Sequence, residues 1–266
     1  MTGTALVTGA SGYVGGRLIP ALLAAGWTTR ALARKASRLR DHPWAADVEV
    51  VEGDVLDPVS LRPALAGVDV AYYLVHAIGS GSGFEETDRT AAKNFAKAAR
   101  AAGVRRIVYL GGMTPEGEQL SAHLRSREEV GQILLDSGVP TAVLKAAVVL
   151  GSGSASFEML RHLTERLPVM VTPKWVEVKI QPIAIRDVLH YLVGAATLPT
   201  TVNRSFDIGG ADVLTYRDMM QGYARVAGLP RRRIVGVPVL SPGLSALWVG
   251  LITPVPGNLA RPWWRA

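Results

Sequence analysis

The chain contains no cysteine. Without thiols there is no disulfide, no cysteine-ligated zinc, no iron–sulfur cluster and no thiolate nucleophile, and the composition fits a reducing cytoplasm, the location expected here. The five histidines show no metal-ligand spacing, so no metal site is expected. Charged residues make up only 19% of the chain and aromatics 6%. Met1-Thr2-Gly3-Thr4 runs straight into Ala5-Leu6-Val7 without a basic region, so no signal peptide is expected. Charge is absent altogether from Ile234 to Ala260. Ser241-Pro242-Gly243 interrupts that run, and Pro254 and Pro256 bound it. The longest helix it allows has about 11 residues, roughly 16 Å, or half a bilayer core. A buried or interfacial helix around Leu244 to Ile252 is expected, with a peripheral membrane contact as the alternative.

What is present points to an α/β protein. The 266 residues are 48% hydrophobic, with 28 Gly and 16 Pro, enough for one large domain or a nucleotide-binding domain with an added lobe. The net charge of +7 raises the question of nucleic acid. The basic groups are short, however. Arg105-Arg106 and Arg231-Arg232-Arg233 read as solvated surface, because no basic stripe interleaved with aromatics accompanies them, and no nucleic-acid partner is expected.

Short Val/Ile/Leu-rich runs near Thr4-Thr8, Thr29-Ala33, Val48-Glu52, Val70-Leu74, Arg106-Leu110 and Thr141-Lys145 predict strands covered on both faces. Helices are predicted at Gly15-Ala25, Val59-Ala66, Thr87-Ala102 and Leu124-Leu135, each followed by glycine at or near its end. The alternation predicts a Rossmann-type, doubly wound parallel sheet over residues 1–150. Beyond it, a smaller substrate lobe over 151–266, interleaved with the core, is read from helices at Phe157-Arg166 and Asp187-Ala196 and a strand at Phe206-Ile208.

The strongest motif is Thr8-Gly9-Ala10-Ser11-Gly12-Tyr13-Val14-Gly15, between the first strand and the first helix. Gly9 permits a tight turn, Gly12 a close backbone approach to a pyrophosphate, and Gly15 close helix-strand packing, with the helix N-terminus facing the phosphates. A site selective for NAD would carry Asp or Glu at the end of the second strand. This chain has Arg34-Lys35, which favours the 2′-phosphate of NADP(H) over NAD(H), against a plain solvated turn. Asp54 is read either as an adenine contact or as a helix cap.

Together with Tyr72-Tyr73-Leu74-Val75-His76, Tyr109-Leu110-Gly111-Gly112, Gly151-Ser152-Gly153-Ser154-Ala155-Ser156-Phe157-Glu158 and Gln181-Pro182-Ile183, these residues resemble the short-chain dehydrogenase/reductase superfamily. The likeness is to its atypical branch of NAD(P)H-binding proteins related to the nitrogen-metabolite-repression regulator, and it spans residues 3 to 260. The resemblance implies that Gly9, Ser11, Gly12, Tyr13, Val14 and Gly15 form the pyrophosphate loop. It likewise implies that Arg34 with Lys35 meets the 2′-phosphate and Asp54 with Val55 the adenine. Leu74, Val75 and His76 would pass the ribose, and Lys145 would stand where relatives often have Arg. Gln181, Pro182 and Ile183 would return to the substrate cleft before Asp187 caps a helix. Members of the bacterial group often carry a further C-terminal domain, so a shorter or truncated version is expected here.

The usual catalytic set is not matched. The serine position reads Gly111-Gly112, and the Tyr-x-x-x-Lys pair appears as His123 and Arg127, with no tyrosine between Tyr109 and Tyr191. His123, Arg127 and His76 are the candidate catalytic residues, against the plainer reading of surface or packed side chains. Three functions stay open. One is an NADP(H)-dependent oxidoreductase on a small apolar carbonyl or enone. The others are a non-catalytic NADP(H) sensor or scaffold, and a sugar-nucleotide epimerase or dehydratase. Phe157, Met159, Leu160, Leu163, Met170, Trp175 and Trp248 are read as substrate-pocket wall or simply as core, and the Thr87-Ala102 and Leu124-Leu135 helices as the usual homodimer face of the superfamily or equally as ordinary helix-sheet packing.

Overall fold

The structure, a computed structural model, describes residues 3–76, 83–114, 121–172 and 174–236. In chain order these form β1 (Thr4–Val7), α1 (Gly15–Ala24), β2 (Thr28–Ala33), β3 (Glu49–Glu52), α2 (Pro58–Leu65), β4 (Val70–Tyr73), α3 (Phe84–Ala101), β5 (Arg106–Gly112), α4 (Ala122–Leu135) and β6 (Thr141–Ala146). They continue with β7 (Val148–Leu150), α5 (Ala155–Arg166), β8 (Val169–Thr172), β9 (Lys179–Ile180), β10 (Pro182–Ala184), α6 (Ile185–Ala195), β11 (Arg204–Ile208), β12 (Leu214–Thr215), α7 (Tyr216–Val226) and β13 (Arg233–Gly236). The chain divides into two compact units: one runs up to Ala146 and adds Arg186–Ile208, and the other takes Ala147–Ile185 and the described chain from Gly209.

The first unit holds a seven-stranded sheet in the order β11-β6-β5-β4-β1-β2-β3, parallel throughout. This is the doubly wound fold that the strand-helix alternation predicts. Its central strands are buried, all four residues of β4 among them, which is why they read as continuous apolar runs. Leu61, Leu65, Phe95, Ala99, Val130 and Leu134 from α2, α3 and α4 pack with Leu6, Ala71, Tyr73 and Tyr109 from the sheet into one core. Burying each large side chain contributes about 1.5–3 kcal/mol.

Two polar side chains fasten this unit where the backbone alone leaves groups unpaired. Pro20 lies inside α1 and has no N–H for the Gly16 carbonyl one turn earlier; Trp44 Nε1 donates to that carbonyl at 2.9 Å instead. Arg106, at the start of β5 and 2% exposed, donates to the carbonyls of Leu198, Pro199 and Val202, at 3.1, 2.6 and 3.0 Å. It thereby ties the α6–β11 connection to the sheet.

The second unit is built from short pairs: β7 with β10 and β8 with β13, both parallel, and β9 with β12, antiparallel. Met159, Leu160 and Leu163 of α5, Met170 of β8, and Tyr216, Met219 and Met220 of α7 share its core. The Met and Leu positions offered as pocket wall are therefore packed interior. The side chain of Trp175, and Trp248 with the predicted helix at Leu244 to Ile252, lie outside the described residues. Asp187 does not cap a helix; α6 begins at Ile185, and Asp187 sits within its first turn. Among the described residues no helix is long and apolar enough to cross a membrane.

Candidate functional site

The glycine loop leaves β1 and is pinned to the neighbouring strand. Thr8 Oγ1 donates to the Tyr72 carbonyl and accepts from the Leu74 N–H, both at 3.0 Å. Gly9 adopts φ of 67°, and a Cβ there would stand 2.6 Å from the Leu74 oxygen. A Cβ on Gly15 would stand 2.3 Å from the Gly9 oxygen. The turn is therefore as tight as its glycines allow, and it closes through Gly12 N–H to Gly9 O at 2.9 Å. Val14 begins α1 without any side-chain cap, so Ser11, Tyr13 and Val14 lead into a bare helix N-terminus, the arrangement that receives a phosphate.

At the end of β2, Arg34 and Lys35 are exposed, and among the described residues their side chains have no partner. A 3₁₀ turn follows at Ala36–Arg38, with the Ala36 N–H donating to Glu52 at 2.7 Å. Asp54 does not cap α2. Its carboxylate accepts from the Leu56 N–H at 2.9 Å, while Asp57 caps the helix through the Val59 N–H at 3.0 Å. Asn94 of α3 donates to the carbonyls of Val55 and Leu56, both at 3.2 Å, and so holds that loop.

Beyond the C-terminal ends of β4 and β5, the structure brings the three candidate catalytic residues together. His76 meets the Tyr109 ring edge-on at 6.0 Å between centroids. Tyr109 Oη donates to the Arg127 carbonyl at 3.2 Å, and the Arg127 side chain packs where a Cβ on Gly112 would stand, 3.4 Å from its Cδ. Arg127 Nε is buried and, among the described residues, has no hydrogen-bond partner. His76 is held well below the ordinary histidine value, first by burial and then by the positive charge of Arg127 and by His123. His123 is lowered by burial and by Arg127, against an upward pull from Asp88. At neutral pH both imidazoles are therefore uncharged, and Arg127 carries the positive charge of the group.

Two members of this cluster were not found from the sequence. Asp88, 6% exposed on α3, accepts from Ser126 Oγ of α4 at 2.9 Å. Asp88 falls on the same helical stripe as Ala91, Ala92, Phe95 and Ala99, so a carboxylate at a core position was the available signal. Arg89 of α3 pairs with Glu129 of α4 beside it. Lys145, expected at the cofactor, stands inside β6 in register with Gly111 of β5, with β5 and β4 between it and β1. With Arg127, Gly131 and Ser205 it lines a cavity of about 50 Å³.

In the second unit the Gly-Ser loop is a helix start. Ser154 Oγ accepts from the Phe157 N–H at 3.2 Å, and Glu158 accepts from the Gly153 N–H at 2.9 Å. Gln181 donates to the Gly210 carbonyl at 2.6 Å. These contacts hold loops; they are not by themselves a site.

A parallel sheet with a glycine turn, an uncapped helix start and charged groups beyond its strand ends defines a dinucleotide-binding α/β protein. Residues 9–150 match the profile of the family described as NAD(P)H-binding, and the chain belongs to that family. It is 31% identical over 234 residues, 85% of this chain and 75% of the relative, to a (4-alkanoyl-5-oxo-2,5-dihydrofuran-3-yl)methyl phosphate reductase of Streptomyces griseus. It is 28% identical over 247 residues, 91% of this chain and 75% of the relative, to a ceramide reductase of Caulobacter vibrioides. The fold matches a Citrobacter triphenylmethane reductase complexed with NADP(H), with a TM-score of 0.77 and 23% identity over 98% of this chain and 88% of that one.

Proposed function

We propose that the protein is an NADP(H)-dependent reductase of an apolar carbonyl or enone. The observation that carries this reading is Arg127, a permanent cation whose buried Nε has no partner among the described residues, set beside Gly111-Gly112, the position at which the resemblance to short-chain dehydrogenases/reductases would place a serine. A buried donor without a partner costs free energy unless a ligand meets it. The cradle fits the cofactor on the same kind of ground: the spaces at Gly9 and Gly15 admit no side chain, and Val14 leaves the helix start free for pyrophosphate. Arg34 and Lys35 supply the charge for a 2′-phosphate, which supports NADP(H) over NAD(H). Asp54 and Val55 border the adenine, Leu74, Val75 and His76 the ribose, and Lys145 the far end of the site.

The bound cofactor supplies hydride to the substrate. Arg127 stabilises the negative charge that develops on the substrate oxygen, and His123 adds a neutral N–H donor. An enone places that charge on an enolate oxygen, which needs a donor more than a strong acid, and the proton that completes the reduction comes from water; this suits a chain without the tyrosine. Both relatives' names denote reductases of lipid-like or alkanoyl-bearing compounds, which supports an apolar substrate.

Arg127→Met is expected to lower NADPH consumption on a panel of enones, quinones and ketones by roughly 10²–10³-fold. The check is steady-state absorbance of the reduced cofactor, with NADPH binding followed separately by fluorescence. Tight binding with no consumption by the wild type on any of these compounds would instead support the sensor reading, which the missing tyrosine favours.

A further inference from the structure

The net charge of the molecule is concentrated in one of its units. The chain of the second unit carries eleven Lys and Arg against five Asp and Glu, a net of +6, whereas the first carries eighteen against seventeen, a net of +1. The second unit also exposes an apolar face. In the β8–β13 pair, Arg233 lies in register with Val169 and Val235 with Val171. One side of this ribbon, Met170 and Thr172, is buried. The other presents Val169, Val171 and Val235, which are 54%, 50% and 53% exposed, together with Arg233. Neither strand contains an acidic residue, and the side chains of Arg231 and Arg233 are unpaired among the described residues. The sequence that follows β13 continues without a charge to Ala260.

We propose that the outer face of β8 and β13 docks on an anionic lipid surface. Exposed β-branched side chains on one face of a ribbon are ordinarily covered, and three valines flanked by guanidiniums match a bilayer interface: the apolar tips enter the acyl boundary while the long arginine side chains reach the phosphates. Charge complementarity selects this occupant over a second copy of the chain, because two surfaces of the same positive sign repel. It is favoured over nucleic acid because a phosphate backbone gives the valines nothing to bury against. The inference stands independently of the reductase reading, since it concerns a different unit and needs no turnover.

The test uses the full chain with vesicles of phosphatidylcholine alone and with roughly one-third phosphatidylglycerol. Co-sedimentation with the anionic vesicles is expected, weakened by salt raised from roughly 0.1 M to 1 M, where the screening length falls from about 10 Å to about 3 Å. Val169→Asp/Val171→Asp is expected to lower the bound fraction roughly fivefold or more with an unchanged melting temperature, and Arg231→Ser/Arg233→Ser to remove most of the salt-sensitive part. Equal binding to both vesicle types, or full binding by the valine variant, would overturn the proposal. So would a valine variant that loses thermal stability or changes oligomeric state, which would assign the face to the chain's own segment or to a second copy. Preferential binding of a DNA duplex over the vesicles would overturn it as well.

Discussion

The charged and titratable groups beyond β4 and β5 also set how the stability of the fold depends on pH. His76 and His123 are both depressed, chiefly by burial, and only Asp88 opposes the shift at His123. Below about pH 6.5 the unfolded chain takes up protons that these folded imidazoles refuse. Stability is therefore complete above that value and falls as the pH drops below it. The melting temperature is expected to decrease between pH 7 and pH 5, less in His76→Asn and more steeply in Asp88→Asn, which removes the one charge raising His123. A pH series of calorimetric melts on the three proteins checks this, and a flat wild-type profile would contradict it.

Among the elements, the β1–α1 turn is the most constrained. The Gly9 carbonyl occupies the space that any side chain at position 15 would need, at 2.3 Å from an ideal Cβ. Gly15→Ala must push α1 away from that carbonyl, a distortion of about 1–3 kcal/mol, and it displaces the N–H groups proposed to face a pyrophosphate. NADPH affinity is expected to fall roughly tenfold or more while the far-UV spectrum stays native, with titration of the bound-cofactor fluorescence as the measurement. The same element shows how a local defect recruits a distant partner: Pro20 frees the Gly16 carbonyl, and Trp44, whose ring stacks on His42 at 4.6 Å, satisfies it.

For the molecule as a whole, the chain path matters more than the linear order of its segments. The polypeptide leaves the first unit at Ala146 and returns to it at Arg186, so that β11 pairs along β6 from Arg204 to Ile208. A chain ended after Ala146 exposes the whole edge of β6 and removes the three carbonyls that satisfy Arg106. Leaving a buried guanidinium without partners costs about 3–5 kcal/mol, a large part of the stability of an ordinary domain. Such a fragment is expected to be aggregated or unfolded, whereas one that also retains residues 186–208 through a short linker recovers a cooperative melt; circular dichroism and gel filtration distinguish the two.

The sheet, its first six strands and its first four helices are legible in the sequence because the strands are Val/Ile/Leu-rich runs that alternate with helical stretches, and each helix has a glycine at or near its end. The glycine loop is legible because phosphate binding requires glycine at set spacings after a strand. The short strands β7 to β10 were not, since they break the strand-helix alternation and their pairing is non-local; α7 was not either, although the Thr215–Asp218 capping box marks its start. Residue types and order also supplied His76, His123 and Arg127 as candidates. That they converge, with Asp88 and Ser126 beside them and an Arg127 Nε that has no partner among the described residues, was decided only by folding: their encounter depends on the packing of α3 against α4, and such contacts between residues up to 51 positions apart leave no trace in local periodicity.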